Sequence, residues 1–373
     1  MPEIEKCQEV QNCHCEEQQR RSNLADIALG TGLPRFSIAV EKLAMTEVEQ
    51  TIFATIAYYD YFSYPLTAAE IYYYLINFEA KDQKPKTKNT NQNQKTKPPF
   101  YEIIKTLDES QDLEKLIGQK NGFCFLAGRE EIIKQRLQRK KLADEKFRKS
   151  RWILKFISYL PFVRLMMISG TMALGNPYKE SDLDLLVVAK SGRIWTARAI
   201  ITFFALIFGK YRHAGKTKNR LCLNHYITDK SLTVDFGNLY KAQEYLNLLP
   251  VSGDLKIYQE FLVANQNWME NYVPSNRDEN EPANAENLRF ISQSKIFLKI
   301  KDFFEWTLGG KFGNWSERFF KKIQIFFIQK NPLSDKPKGR LRYTDDNLVF
   351  HPVLIEPEVI ERFNKKMEEI VKS

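Results

Sequence analysis

No stretch of this 373-residue chain reaches the roughly 18 consecutive apolar residues that a membrane-spanning helix needs. The most apolar segment, Ala199 to Phe208, is too short and follows Arg198. The first 25 residues are rich in Glu and Gln and lack an apolar leader region, so a cytoplasmic location is expected. Histidine is scarce, with four residues, which leaves little material for His-rich metal or protease chemistry. The five cysteines lack the paired spacing of a zinc site. Cys7, Cys13 and Cys15 lie with His14 in a polar tail, while Cys124 and Cys222 sit in apolar runs. All five read as plain thiols in a reducing compartment.

Charge and apolar side chains are plentiful. With 43% hydrophobic and 27% charged residues the chain has the make-up of a folded protein, long enough for two or three domains. Its balance of 56 Lys+Arg against 46 Asp+Glu gives a net +10, and the excess is unevenly spread. Residues 81 to 99 carry six Lys and one Asp, and residues 129 to 155 carry eleven bases against four acids. The segment Lys210 to Arg220 has five bases and no acid, and could reach a polyanion or simply be solvated.

Residues 1 to 44 read as a disordered tail, and the polar segment 81 to 99 as a disordered insert. Between them, Thr46-Glu-Val-Glu49 and Thr67-Ala-Ala-Glu70 are capping boxes. The first opens a helix through Ile52, Phe53 and Ile56, the second one through Ile71, Tyr74 and Leu75. A third helix is expected from Pro99 to Leu113, then a hairpin turning at Lys120-Asn121-Gly122 between short apolar strands. Three helices and a hairpin over residues 45 to 128 resemble, in element order, a winged helix-turn-helix domain. The third helix offers Glu102, Asp108, Glu109 and Asp112 against Lys105, so a structural or protein-contacting wing is expected. Nucleic acid stays open as a partner and is not favoured. Residues 129 to 160 read as a basic helical linker, with a phosphate-binding face as the alternative.

The segment Met166 to Lys190 carries the chemistry. An apolar run enters Ser169-Gly170-Thr171, a polar turn follows at Gly175-Asn-Pro177, and Ser181-Asp182-Leu183-Asp184 leads into Leu185-Leu186-Val187-Val188. In a strand, residues two apart share a face, so Asp182 and Asp184 point one way while Leu183 and Leu185 enter the core. Two carboxylates side by side repel unless a cation neutralises them, and hard oxygen ligands suit Mg²⁺ or Mn²⁺. A glycine at a strand end lets backbone N–H groups approach a phosphate, with the Thr171 hydroxyl as a further donor.

These residues resemble the signature of the nucleotidyltransferase superfamily that includes DNA polymerase beta and kanamycin nucleotidyltransferase. Its pattern is a Gly-Gly or Gly-Ser, about ten residues, then Asp-x-Asp in an apolar strand and a third acid on a later strand. Thr171 replaces the usual Ser and keeps the hydroxyl. The resemblance covers residues 163 to about 237. It implies an α+β fold, with a mixed-sheet core over residues 161 to 240. It also implies transfer of a nucleoside monophosphate from a nucleoside triphosphate to a hydroxyl acceptor, which the sequence leaves unidentified. Asp182 and Asp184 would hold Mg²⁺ or Mn²⁺, and Ser169, Gly170, Thr171 and Ser181 would bind the nucleotide. The third acid is open between Asp235, on an expected second strand Leu232 to Phe236, and the position of Asn224 on the strand Leu221 to Ile227. Asp235 is preferred because it alone is an anion. A regulatory protein that senses nucleotide, or binds a partner or nucleic acid through the N-terminal domain, is the alternative.

Residues 241 to 373 read as a C-terminal helical region, with helices over 238 to 270 and from Glu358 to Val371. Its aromatic stretches, Phe303-Phe304-x-Trp306, Phe319-Phe320 and Phe326-Phe327, read as packing surface, a membrane-surface helix being the alternative.

Overall fold

The structure, a computed structural model, describes residues 45–77, 97–213, 216–234, 237–274, 290–330, 340–351 and 355–372. Expectations for the tail with Cys7, Cys13 and Cys15, for residues 81 to 96, and for Asp235 lie outside the described residues. The fold is α+β, with twelve helices and eight strands among the described residues.

Local capping fixes the start. Helices α1 (Glu47–Asp60) and α2 (Ala68–Tyr74) each open on a complete capping box. The hydroxyls of Thr46 and Thr67 accept from the backbone N–H groups of Glu49 and Glu70, whose carboxylates accept in turn from the Thr46 and Thr67 N–H groups. The expected third helix breaks at Ser110 into α3 (Phe100–Glu109) and α4 (Gln111–Leu116), because the Ser110 hydroxyl caps Leu113. Strands β1 (Ile117–Lys120) and β2 (Phe123–Leu126) form the expected hairpin, with Asn121 and Gly122 both at positive φ.

Helix α5 (Glu131–Ser158) forms in the stretch expected as a basic helical linker and packs its inner face against the molecule. Arg136 is buried and grips Glu70 with two nitrogens, at 2.6 and 2.8 Å, while Arg139 reaches Phe62 O and Asn176. Several of its bases are therefore spent inside the molecule.

The central sheet has six strands in the order β6-β3-β4-β5-β8-β7. Strands β3 (Val163–Ile168) and β4 (Leu183–Ala189) are antiparallel, and β4 runs parallel to β5 (Leu221–Thr228). That parallel step is bridged by α7 (Ile194–Ile207). Residues 241 to 373 are less uniformly helical than expected. Strand β6 (Leu249–Gly253) separates α8 (Leu239–Leu246) from α9 (Leu255–Met269) and pairs with β3. Pro250 is tolerated there because β6 is an edge strand. The hairpin of β7 (Arg340–Tyr343) and β8 (Asn347–His351) joins β5 on the far side, where a strand over Leu232 to Phe236 was expected. Residues 232 to 234 form no strand.

Alternation splits the core between the two faces of this sheet. Leu183, Leu185 and Val187 pack with α7 and the end of α5, whereas Leu186 and Val188 pack with α8, α9 and the N-terminal helices. The terminal helix α12 (Glu356–Lys372) also packs on that second side, where Phe363 meets Tyr58 of α1 edge-on.

Two C-terminal helices depart furthest from expectation. In α10 (Lys295–Thr307) and α11 (Gly310–Lys330) most of the aromatic stretches point outward, Phe320 alone of those named packing against the core.

Candidate functional site

The site lies where β4 begins. Asp184 shares its face with Leu186 and Val188, and Asp182, two residues earlier, falls on the same side. Ligand atoms of Asp182, Asp184 and Cys222 all lie within 4.8 Å of one another. Both aspartates keep a partly exposed edge, while Cys222 is buried.

Each neighbour is held from outside the motif. The Ser169 N–H donates to Asp184 O at 3.0 Å, tying the end of β3 to the carboxylate's own peptide. Gly170 opens the four-residue helix α6 (Gly170–Ala173) at φ +64°. A Cβ there would stand 3.0 Å from Asp184 Oδ2 in a left-handed backbone, so both conformation and space call for glycine. Thr171 follows in α6, where its carbonyl accepts from Asn176. Ser181 has a structural task, since its hydroxyl accepts from the Tyr178 N–H at 2.9 Å. Lys146 of α5 completes that loop by donating to Lys179 O, Ser181 O and Asn219 Oδ1 at 2.7 to 2.9 Å. Burial lowers the Lys146 pKa.

Electrostatics set the character of the pair. The Asp184 pKa is pushed up to about 7, first by burial and then by the Asp182 charge, with Glu244 adding to the effect. A hydrogen bond from Cys222 and the charge of Arg212 oppose the rise. The thiol of Cys222 is itself driven upward by burial and by both carboxylates, so it stays protonated. Arg212 Nη1 stands 2.7 Å from Asp182 Oδ2 and 3.2 Å from Cys222 Sγ. Even so, Asp182 Oδ2 is buried without a well-aligned hydrogen bond. A crowded carboxylate pair with one such oxygen fits a hard divalent cation.

Several sequence-derived residues are brought together here: Asp182, Asp184 and the Ser169–Gly170 turn. The β4–β5 register pairs Asp184 with Cys222 and then Leu186 with His225, so β5 carries one extra residue between them. Cys222, not Asn224, therefore stands across from Asp184. Sequence reasoning missed Cys222, which looked like an ordinary apolar-run thiol, and did not single out Arg212 within its five-base loop. The parallel register that places both was not readable without the fold.

Compared with protein families, curated proteins and solved structures, the chain matches none of them.

Proposed function

We propose that the protein is a metal-dependent nucleotidyltransferase, moving a nucleoside monophosphate from a nucleoside triphosphate to a hydroxyl acceptor. The observation that carries this reading is the Asp182–Asp184 pair, crowded against each other beside a left-handed Gly170. Those residues also carry the sequence resemblance to the superfamily. Asp182 and Asp184 are the groups that would hold Mg²⁺ or Mn²⁺, and a divalent ion there supplies charge neutralisation at the phosphates.

The chain's own residues do the rest. Gly170 leaves open space beside Asp184 where a side chain would intrude. Arg212 is about half exposed, so its guanidinium is the group free to turn from Asp182 toward an incoming phosphate. Lys146 fixes the loop that delivers Asp182. The acceptor oxygen forms a bond to the α-phosphorus as the bond to pyrophosphate breaks, and the acceptor's proton passes to a carboxylate, the role the resemblance gives to Asp235. Catalysis of this kind rests on positioning and charge.

The test is release of pyrophosphate and transfer of label from α-labelled nucleoside triphosphates with Mg²⁺ or Mn²⁺ present. Asp182→Asn and Asp184→Asn should each lower the rate by at least about 100-fold with the fold intact. A wild type that transfers nothing from any of the four nucleotides, across protein, RNA and small-molecule acceptor pools, defeats the proposal.

A second reading draws on the Arg212–Asp182 ion pair and on Cys222 opposite Asp184. An internal cation and a neutral thiol suit a site that binds nucleotide without turning it over. Retained nucleotide binding in equilibrium dialysis with no pyrophosphate release would select this one.

A further inference from the structure

Helices α10 and α11 turn polar residues inward and leave most of their aromatic residues outside. The face of α10 turned inward is polar: Lys301 is buried and donates to Ser158 O and Val163 O, and Glu305 grips Arg164 at 2.8 Å. In α11 the inward residues are mixed: Ile328 joins the core with Phe320 and Ile325 beside it, and the first half of the helix turns small and polar residues inward. Gly313 lies so close to the Leu308 carbonyl that no Cβ would fit, and Ser316 is buried. Glu317 accepts the Trp195 and Thr196 N–H groups, both at 2.9 Å. Those are first-turn donors of α7 that have no partner within their own helix.

Most of the aromatic residues are left outside. Phe303 and Trp306 of α10 expose 58% and 78% of their surface, and Phe312, Trp315, Phe319 and Phe326 of α11 are exposed in turn. The last four recur every three to seven residues, along a helix about 30 Å long. Phe312, Trp315 and Phe319 stack on one another in a row. At roughly 200 Å² per aromatic side chain, these six alone leave several hundred square ångströms of apolar surface in water, as much as the whole largest patch of a typical monomer. The charges beside them share one sign. Lys295, Lys299, Lys311, Arg318, Lys322 and Lys330 are exposed on these two helices, against Asp302 as the one exposed acid.

We infer that α10 and α11 form a docking face for an anionic lipid surface, lying flat with Trp and Phe at the level of the headgroups. Held by buried polar anchors, with Phe320, Ile325 and Ile328 packing inward only in the second half of α11, the two helices keep their outer aromatic faces available. The bases around the stripe match anionic headgroups, which a neutral bilayer lacks. Among the described residues no helix is long and apolar enough to span a bilayer. This inference is independent of the reaction proposed above.

Vesicle flotation of the full chain tests it, with phosphatidylcholine vesicles with and without phosphatidylserine, read also by Trp fluorescence. Binding with a blue shift is expected on the anionic vesicles, weaker by about tenfold or more on the neutral ones. The triple variant Trp306→Ala, Trp315→Ala, Phe319→Ala should lose binding, with its helical circular dichroism preserved. If that variant does not fold, Lys299→Glu with Lys322→Glu decides, since reversed charge on exposed positions should also abolish binding. Equal binding to both vesicle types, or none to either, overturns the inference. So does a solution dimer of the wild type that ignores vesicles and that the aromatic variant splits into monomers.

Discussion

At the residue scale, Asp184 is held in an environment that penalises its charge. A carboxyl with its pKa raised to about 7 binds a proton in the folded chain between the ordinary carboxylate range and pH 7, where the unfolded chain has already lost it. Without metal, this group's contribution to stability is therefore full at low pH and lost as pH rises through that window. Asp184→Asn removes the penalty, so at pH 8 the variant should unfold about 1 to 3 kcal/mol later in urea than the wild type, with the difference fading by pH 4. A higher wild-type stability at pH 8 would contradict the crowding. Divalent ions act on the same group from the other side. Mg²⁺ or Mn²⁺ must displace the proton, so the rise in melting temperature should be larger at pH 8 than at pH 5, and absent in Asp182→Asn. An equal shift at both pH values would mean that the ion binds elsewhere. Gly170→Ala should damage the site by both routes at once, through the left-handed backbone and through contact with Asp184.

Elements position what residues supply. The loop before β4 hangs from Lys146, a buried amine whose three bonds all go to loop oxygens rather than to a carboxylate. Lys146→Met keeps the stem's packing and removes those bonds. It should cost about 1 to 3 kcal/mol of stability and lower metal affinity more than Lys149→Met, whose amine is exposed on the same helix. Equal effects of the two variants, measured by urea unfolding and metal titration, would show that the loop holds itself. Helix caps were readable because both partners of a capping box lie within four residues. The Ser110 cap was equally local and was overlooked, since the apolar positions on both sides of it continue a helical rhythm. Strands β6 to β8 were missed for another reason. Each is four or five residues long; β6 and β8 dock on strands tens to more than a hundred residues away, and β7 enters the sheet through its hairpin with β8.

On the scale of the whole molecule, the N-terminal helices are not a detachable module. They share a core with the sheet, and a buried polar network joins them to α8. Tyr59 donates to Gln243 at 2.8 Å, Tyr74 to Asn247 at 2.6 Å, and Gln243 returns a bond to Tyr74 O. A chain built this way should unfold in one transition, with fluorescence and circular dichroism coincident. Tyr59→Phe and Tyr74→Phe leave buried acceptors and should each cost about 1 to 2 kcal/mol. Two separate transitions would restore the picture of independent domains. The internal contacts of Arg136 and Arg139 also take part of the basic excess of α5 out of solvent.

The sequence by itself determined the elements whose cause is local: the capped helices, the Asn-Gly hairpin, and the alternation that sets Asp182 and Asp184 on one side of an apolar strand. It also held the net charge and the aromatic stretches, but not their direction. Tertiary structure decided what stands opposite the aspartates, because the β4–β5 register is set by packing on both faces of a sheet. It likewise decided that the aromatic faces of α10 and α11 point outward. Their orientation follows from buried polar bonds to distant strands and helices together with the inward packing of Phe320, Ile325 and Ile328, and short-range periodicity carries no sign to say which face is inside.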